Sequence, residues 1–191
     1  MGLSIHYSGA LDRIDELPQF VEELTDIAES MGWTVQPINL DEADPNFRGV
    51  IVNPEGDCEP LCFIFDREGR LRVLMDLLSE QVEPTEYSFY TATKTQFAAI
   101  ETHVWIIGLL RYLKKRYLSN LEVKDEGDYW ETEDLEKLRE KKQFLQGMIN
   151  QMAGALSETE PLPEGASLDD IVSRITQIAE ELNKKRHAED P

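Results

Sequence analysis

PLCFIFDREGRLRVLMDLL, residues 60–78, is the stretch on which the fold class turns. Leu61, Phe63 and Phe65 share one face of an extended segment, and Leu71, Val73 and Met75 share one face of a second. Side chains alternate with a period of two along a strand. DREG (66–69) supplies the turn between them, because Gly69 takes positive φ without a Cβ clash. The stretch therefore predicts a β-hairpin. Its neighbours read the same way. GVIVN (49–53) is a short β-branched strand, WTVQPINL (33–40) is extended with Pro37 at an edge or bulge, and EYSFYTAT (86–93) is a further strand. LSIHYS (3–8) alternates Leu3, Ile5 and Tyr7 against Ser4, His6 and Ser8, as a half-buried strand does. Consecutive strands with short connections predict an antiparallel β-meander packed on helices, an α+β fold.

The helices follow from the other periodicity. Ile14, Leu17, Val21, Leu24, Ala28 and Met31 recur every three or four residues, and Gly32 follows as a stop. Phe97–Leu118 is apolar nearly all round its middle, which predicts burial against the sheet. Its end carries Arg111, Lys114, Lys115 and Arg116, where cations suit the helix dipole, with Tyr112 and Tyr117 interleaved. LEVKD (121–125) reads as a short return strand. Leu135, Leu138, Lys142, Leu145, Ile149, Met152 and Leu156 then form one seam, and Leu168, Ile171, Ile175, Ile178 and Leu182 a second. SETEPLPEGA (157–166) is the loop between them, and Ser167 with Asp170 resembles a capping box. The organisation expected is an α+β body at 1–131 and an antiparallel helical hairpin at 132–191 whose end, NKKRHAEDP, is frayed. Seams this short are marginal alone. They dock on the body or make a homodimer, with Lys142 choosing the register.

Composition narrows the function classes. The 191 residues carry a net charge of −19, unevenly placed: residues 1–95 hold 19 acids against 6 bases, and residues 96–191 hold 19 against 13. Phosphate backbones are repelled by such a surface, so no nucleic-acid partner is expected, while a basic protein partner fits. Cys58 and Cys62 are too few for a disulfide framework or a structural zinc site and read as small apolar side chains on a strand. The longest apolar run, VWIIGLL (104–110), falls far short of the roughly 20 residues of a membrane span, so no membrane association is expected. MGLSIHYSGALDR lacks the pattern of a secretory leader, and position 6 is His where a myristoylation pattern needs Ser or Thr. The cytoplasm is the default. No phosphate-binding loop, dinucleotide fingerprint, nucleophile elbow or zinc-helix motif is present; no cofactor, metal or reaction is implied.

One stretch remains, DEGDYWETEDLE at 125–136. A calcium loop starting at Asp125 would place Gly127, Tyr129 and Trp130 at positions 3, 5 and 6, where ligands and a turn glycine are required, and is rejected. As a helix start, Thr132 is the N-cap, Glu133, Asp134 and Glu136 lie at the positive end of the dipole, and Trp130 staples the entry. As a site, the argument is one of length. A helix of 22 residues spans roughly 33 Å, and about ten extended residues return that far. Asp125, Glu126, Asp128, Tyr129 and Trp130 would then meet Lys94, Gln96 and His103 in a polar pocket with aromatic walls, able to hold a small ligand or do acid–base work. Three functions are thus expected as alternatives: an acidic interaction module of immunity, inhibitor or adaptor type; a small-molecule binder or enzyme around His103 and Trp130; and a structural homodimer.

Overall fold

The structure is a computed structural model that describes residues 2–40 and 45–157, and beyond them 167, 169–170, 172–177 and 180. Mixed helix and antiparallel sheet make it α+β, and it divides into compact units at 1–142 and 143–191.

In the first unit, β2 (Thr34–Ile38), β3 (Phe47–Asn53), β4 (Leu61–Asp66) and β5 (Leu71–Arg72) form the expected antiparallel meander. Gly69 takes φ +78 in the turn after β4. β1 (Ser4–Ser8) lies instead in a second sheet, between β6 (Thr91–Lys94) and β7 (Glu122–Asp125), antiparallel to both. Backbone bonds stitch the two sheets together: Leu71 N donates to Gly9 O at 2.8 Å, and Glu59 N to Lys94 O at 3.1 Å.

Every residue of β4 is buried, so both faces of this strand are covered. Leu61, Phe63 and Phe65 join the main core with Phe20 and Leu24 of α1 (Leu17–Ser30) and Ile106, Leu110 and Leu113 of α3 (Ile100–Arg116). Cys62 and Ile64 face a smaller core with Phe47 and Ile51, which Leu74 and Leu77 close from α2 (Leu74–Leu78).

That second face accounts for the main departure from expectation. The strand predicted through Val73 and Met75 ends at Arg72, and Val73 precedes α2. Leu74 and Leu77, three apart on a helix, reach the same hole, whereas Met75 and Leu78 stay exposed. The strand expected over 86–93 is shortened to Thr91–Lys94. A turn precedes it, closed by Thr85 N donating to Ser88 Oγ at 2.9 Å, and Phe89 lies beneath the guanidinium groups of Arg70 and Arg72. α3 is one-sided: Trp105 and Gly108 face outward.

α4 (Tyr129–Thr132) and α5 (Leu135–Ser157) follow β7. The cap of α5 is Asp134, whose Oδ1 accepts from Glu136 N at 3.0 Å and Lys137 N at 3.1 Å; Thr132 lies one short turn upstream and its hydroxyl accepts from Asp134 N. Asp wins because its carboxylate reaches two orphan amides at once. The first turns of α5 pack within the first unit: Leu138 is buried, and Lys142, expected on a seam, donates to Ala98 O. In the second unit, Ser167 and Asp170 form the expected reciprocal capping box, with Ser167 N on the carboxylate at 2.9 Å and Asp170 N on Ser167 Oγ at 3.2 Å. Of the second seam, Leu168, Ile171, Ile178 and Leu182 lie outside the described residues, as do the side chains of Met152 and Leu156; Ile175 is exposed. Among the described residues no helix is long and apolar enough to cross a membrane.

Candidate functional site

Two places in the first unit concentrate polar chemistry. The first is built by the chain's return after α3. β7 runs antiparallel to β1 and delivers Asp125 opposite Ile5, beside the N-terminal half of α3. There His103 Nε2 lies 3.2 Å from Asp125 Oδ2, and His103 Nδ1 lies 2.7 Å from Thr95 Oγ1. Asp125 also accepts from Gly127 N at 2.7 Å, Tyr129 N at 2.7 Å and Trp130 N at 3.0 Å. Burial alone would raise the Asp125 pKa; the bonds from His103 and the backbone amides outweigh it and hold the carboxyl below its ordinary value.

A hydroxyl, an imidazole and a carboxylate in a row have the order of a nucleophilic triad. Access decides against that chemistry here. Thr95 and Asp125 are buried and His103 is 1% exposed, so no substrate atom reaches the hydroxyl. Both ring nitrogens are occupied within the chain: Nε2 faces the Asp125 carboxylate, and Nδ1 faces the Thr95 hydroxyl, which itself donates to Leu3 O at 3.2 Å. Leu3 O keeps the Thr95 amide at 2.8 Å. Asp125 thus acts as a brace that ties β7, the turn before α4 and α3 together.

The remaining residues of the expected site spread outward from this brace. Glu126 accepts from Ser4 N at 2.8 Å, and Gln96 is buried near Gly2. Lys94 stands over the Phe97 ring. Asp128, at φ +59, is held by Lys137 at 2.9 Å and Lys141 at 2.7 Å, which depress its pKa. Tyr129 and Trp130 are half-buried against the main core, and Arg111 lies 5.3 Å over the Trp130 ring while bonding Trp130 O and Glu133. Glu136 pairs with Arg139. Nearly every acid of the 125–136 run is therefore engaged inside the chain. Among the described residues no group of three or more His, Cys, Asp or Glu is placed to hold a metal ion. Burial pushes both thiols up to about 11, so Cys58 and Cys62 are protonated at neutral pH and poor nucleophiles.

The second place went unread in the sequence. The outward face of α1 carries Glu22, Asp26 and Glu29. The helix contains no Lys or Arg, and among the described residues these three make no ion pair. Glu23, one position over, is different: Tyr112 and Tyr117 both donate to it, and its pKa is lowered. Beside the N-terminal end of the stripe runs a groove of ≈ 380 Å³. Leu17 and Val21 form its floor, and Ile14, Pro18 and Leu40 its exposed apolar sides. Glu22 and Asp15, the latter paired with Arg13 at 2.5 Å, also line it, as does Arg48, which is engaged within the chain. The signal available in the sequence was a 14-residue amphipathic helix with acids on its polar face and no base at all.

No family model, no curated protein and no solved structure matches this chain.

Proposed function

We propose that this protein is an acidic interaction module that binds a basic protein partner through the outer face of α1, in the manner of an immunity protein, an inhibitor or an adaptor. The observation that carries this reading is the contrast between its two acidic regions. Six of the acids of 125–136, Asp125, Glu126, Asp128, Glu133, Asp134 and Glu136, cap, brace or pair within the chain. Glu22, Asp26 and Glu29 do not: Glu22 and Asp26 are one helical turn apart, Glu29 lies in the last turn, and the helix itself holds no Lys or Arg. Like charges at this spacing repel, and an acid at the C-terminal end of a helix opposes its dipole. An arrangement that costs stability is accounted for by a partner that supplies the missing cations. The His103 cluster supports a structural role, and within the first unit Leu138 is buried and Lys142 donates to Ala98 O.

The test is affinity capture from a lysate of the native organism at low and high salt, with the natural chain and with Glu22→Lys, Asp26→Lys, Glu29→Lys in one variant. A basic protein that is retained at low salt, released at high salt and missed by the variant is the expected result. Capture that ignores both salt and the variant would sink the reading.

A further inference from the structure

The groove beside the acidic stripe has a different chemistry from the stripe itself, and together they specify more than a cation. The geometry points to a partner segment that is amphipathic as well as basic: one apolar side chain seated in the groove between Ile14, Pro18 and Leu40, followed by Lys or Arg residues along Glu22, Asp26 and Glu29. This inference rests on the interaction reading above and names the kind of segment that α1 receives.

The groove is open, and its sides are large apolar side chains held out of the core, Ile14 at 45% and Leu40 at 37% exposed. Its volume of ≈ 380 Å³ admits a Leu or Phe side chain with room for the backbone that carries it. Charge complementarity selects the occupant. An apolar ligand without charge would leave the adjoining acids unmatched, and an acidic one would be repelled by them. From Glu22 to Glu29 the stripe runs seven residues, roughly 10 Å along the helix axis at 1.5 Å per residue. Two or three basic side chains of a single segment span that distance. The anchor and the cations are contiguous because Glu22 both lines the groove and belongs to the stripe.

The experiment titrates the full chain, isotopically labelled, with three synthetic peptides of equal length, read by amide chemical shifts. The first carries one Leu followed by three Lys at helical spacing. The second has that Leu replaced by Gln. The third is the first with each Lys replaced by Glu. The expected result is that the Leu peptide binds about tenfold more tightly than the Gln peptide, the ratio that burial of part of a Leu side chain supplies. Its shifts should centre on 14–22 and Leu40, and the acidic peptide should not bind. The Ile14→Gln variant, altered at an exposed position, should erase the tenfold ratio. Equal binding of the Leu and Gln peptides overturns the groove proposal while leaving a basic partner for the acidic surface. No binding by any peptide at low salt overturns both.

Discussion

Asp125 meets four donors with two oxygens, and a residue so placed is expected to behave as a stability element. Asp125→Asn keeps the shape but replaces one acceptor oxygen by an NH2 that faces backbone amides or the His103 ring. Bonds to a charged acceptor are worth more than neutral ones, and leaving buried donors unmatched adds to the loss. We expect a cost of about 3 kcal/mol in urea denaturation at pH 7. The pH dependence has a definite sign. The folded-state pKa is depressed below the unfolded value, so the contribution is complete above the unfolded pKa of about 4 and is lost as the pH falls through the lower, folded value. The gap between natural protein and variant should therefore be flat from neutral pH down to about 5 and shrink in stronger acid. A gap that widened below that point would contradict the assignment. This contact was partly legible beforehand: counting residues along α3 and back brings Asp125 to His103 because helical rise and strand rise are fixed. The role of Asp125 as a cap was not, because three backbone amides reach it only after the chain turns through Gly127 and Asp128, the latter in the left-handed region. Buried Arg72 is a second case. It bonds Asp76 at 2.8 Å, Asp66 at 3.4 Å and the carbonyls of Gln81 and Val82 at 3.1 Å. Arg72→Met strands a buried carboxylate and should cost about 3–5 kcal/mol, whereas the Arg72→Met, Asp76→Leu pair should recover much of it. Thermal unfolding of the two single variants and the double one measures the coupling; simple additivity would show that the pair is not the unit.

At the scale of elements, the central hairpin is held as much by a missing side chain as by those present. Gly49 on β3 pairs with Ile64, and a Cβ there would stand 1.9 Å from Phe63 O, at φ +148. Neither backbone can yield without breaking the β3–β4 ladder, so Gly49→Ala should destabilise by roughly 3 kcal/mol or more, seen as loss of the cooperative transition at moderate urea. Unchanged stability would mean the two strands separate more easily than their burial implies. Asp134→Ala, by contrast, removes only the cap of α5 and should cost about 1 kcal/mol. The same elements show what a period-two or period-3.6 pattern carries. Leu61, Phe63 and Phe65 alternated onto one core as expected, and Gly69 took the turn. Val73 and Met75 alternated equally well in the sequence, but the second face of β4 needed a cover, and a helix placing Leu74 and Leu77 together supplied it. Tertiary demand overrode the local pattern. The two-sheet arrangement was hidden for a related reason: β1 finds its partners near residues 91 and 123, and adjacency in sequence says nothing of such pairings.

For the whole molecule, a charge of −19 is a self-repulsion that folding must overcome, and its distribution says which part is structural. If the α1 stripe serves a partner, neutralising it should help the isolated protein and harm the complex. Glu22→Gln, Asp26→Asn and Glu29→Gln together remove one like-charge pair at four residues, another at three, and an acid at the negative end of a helix dipole. Each term is small, and the triple variant should gain a few tenths of a kcal/mol up to about 1 kcal/mol at low ionic strength. The gain should fade as salt is raised, since exposed charges are screened beyond about 8–10 Å at physiological ionic strength. The same variant should lose its partner, through a slower association rate above all. The two measurements, urea denaturation at low and high salt and capture of the partner, bear on one variant and must move in opposite directions. A variant that is less stable at low salt would place these acids among the structural ones, beside Asp125 and Asp134, and would leave α1 without its distinguishing feature.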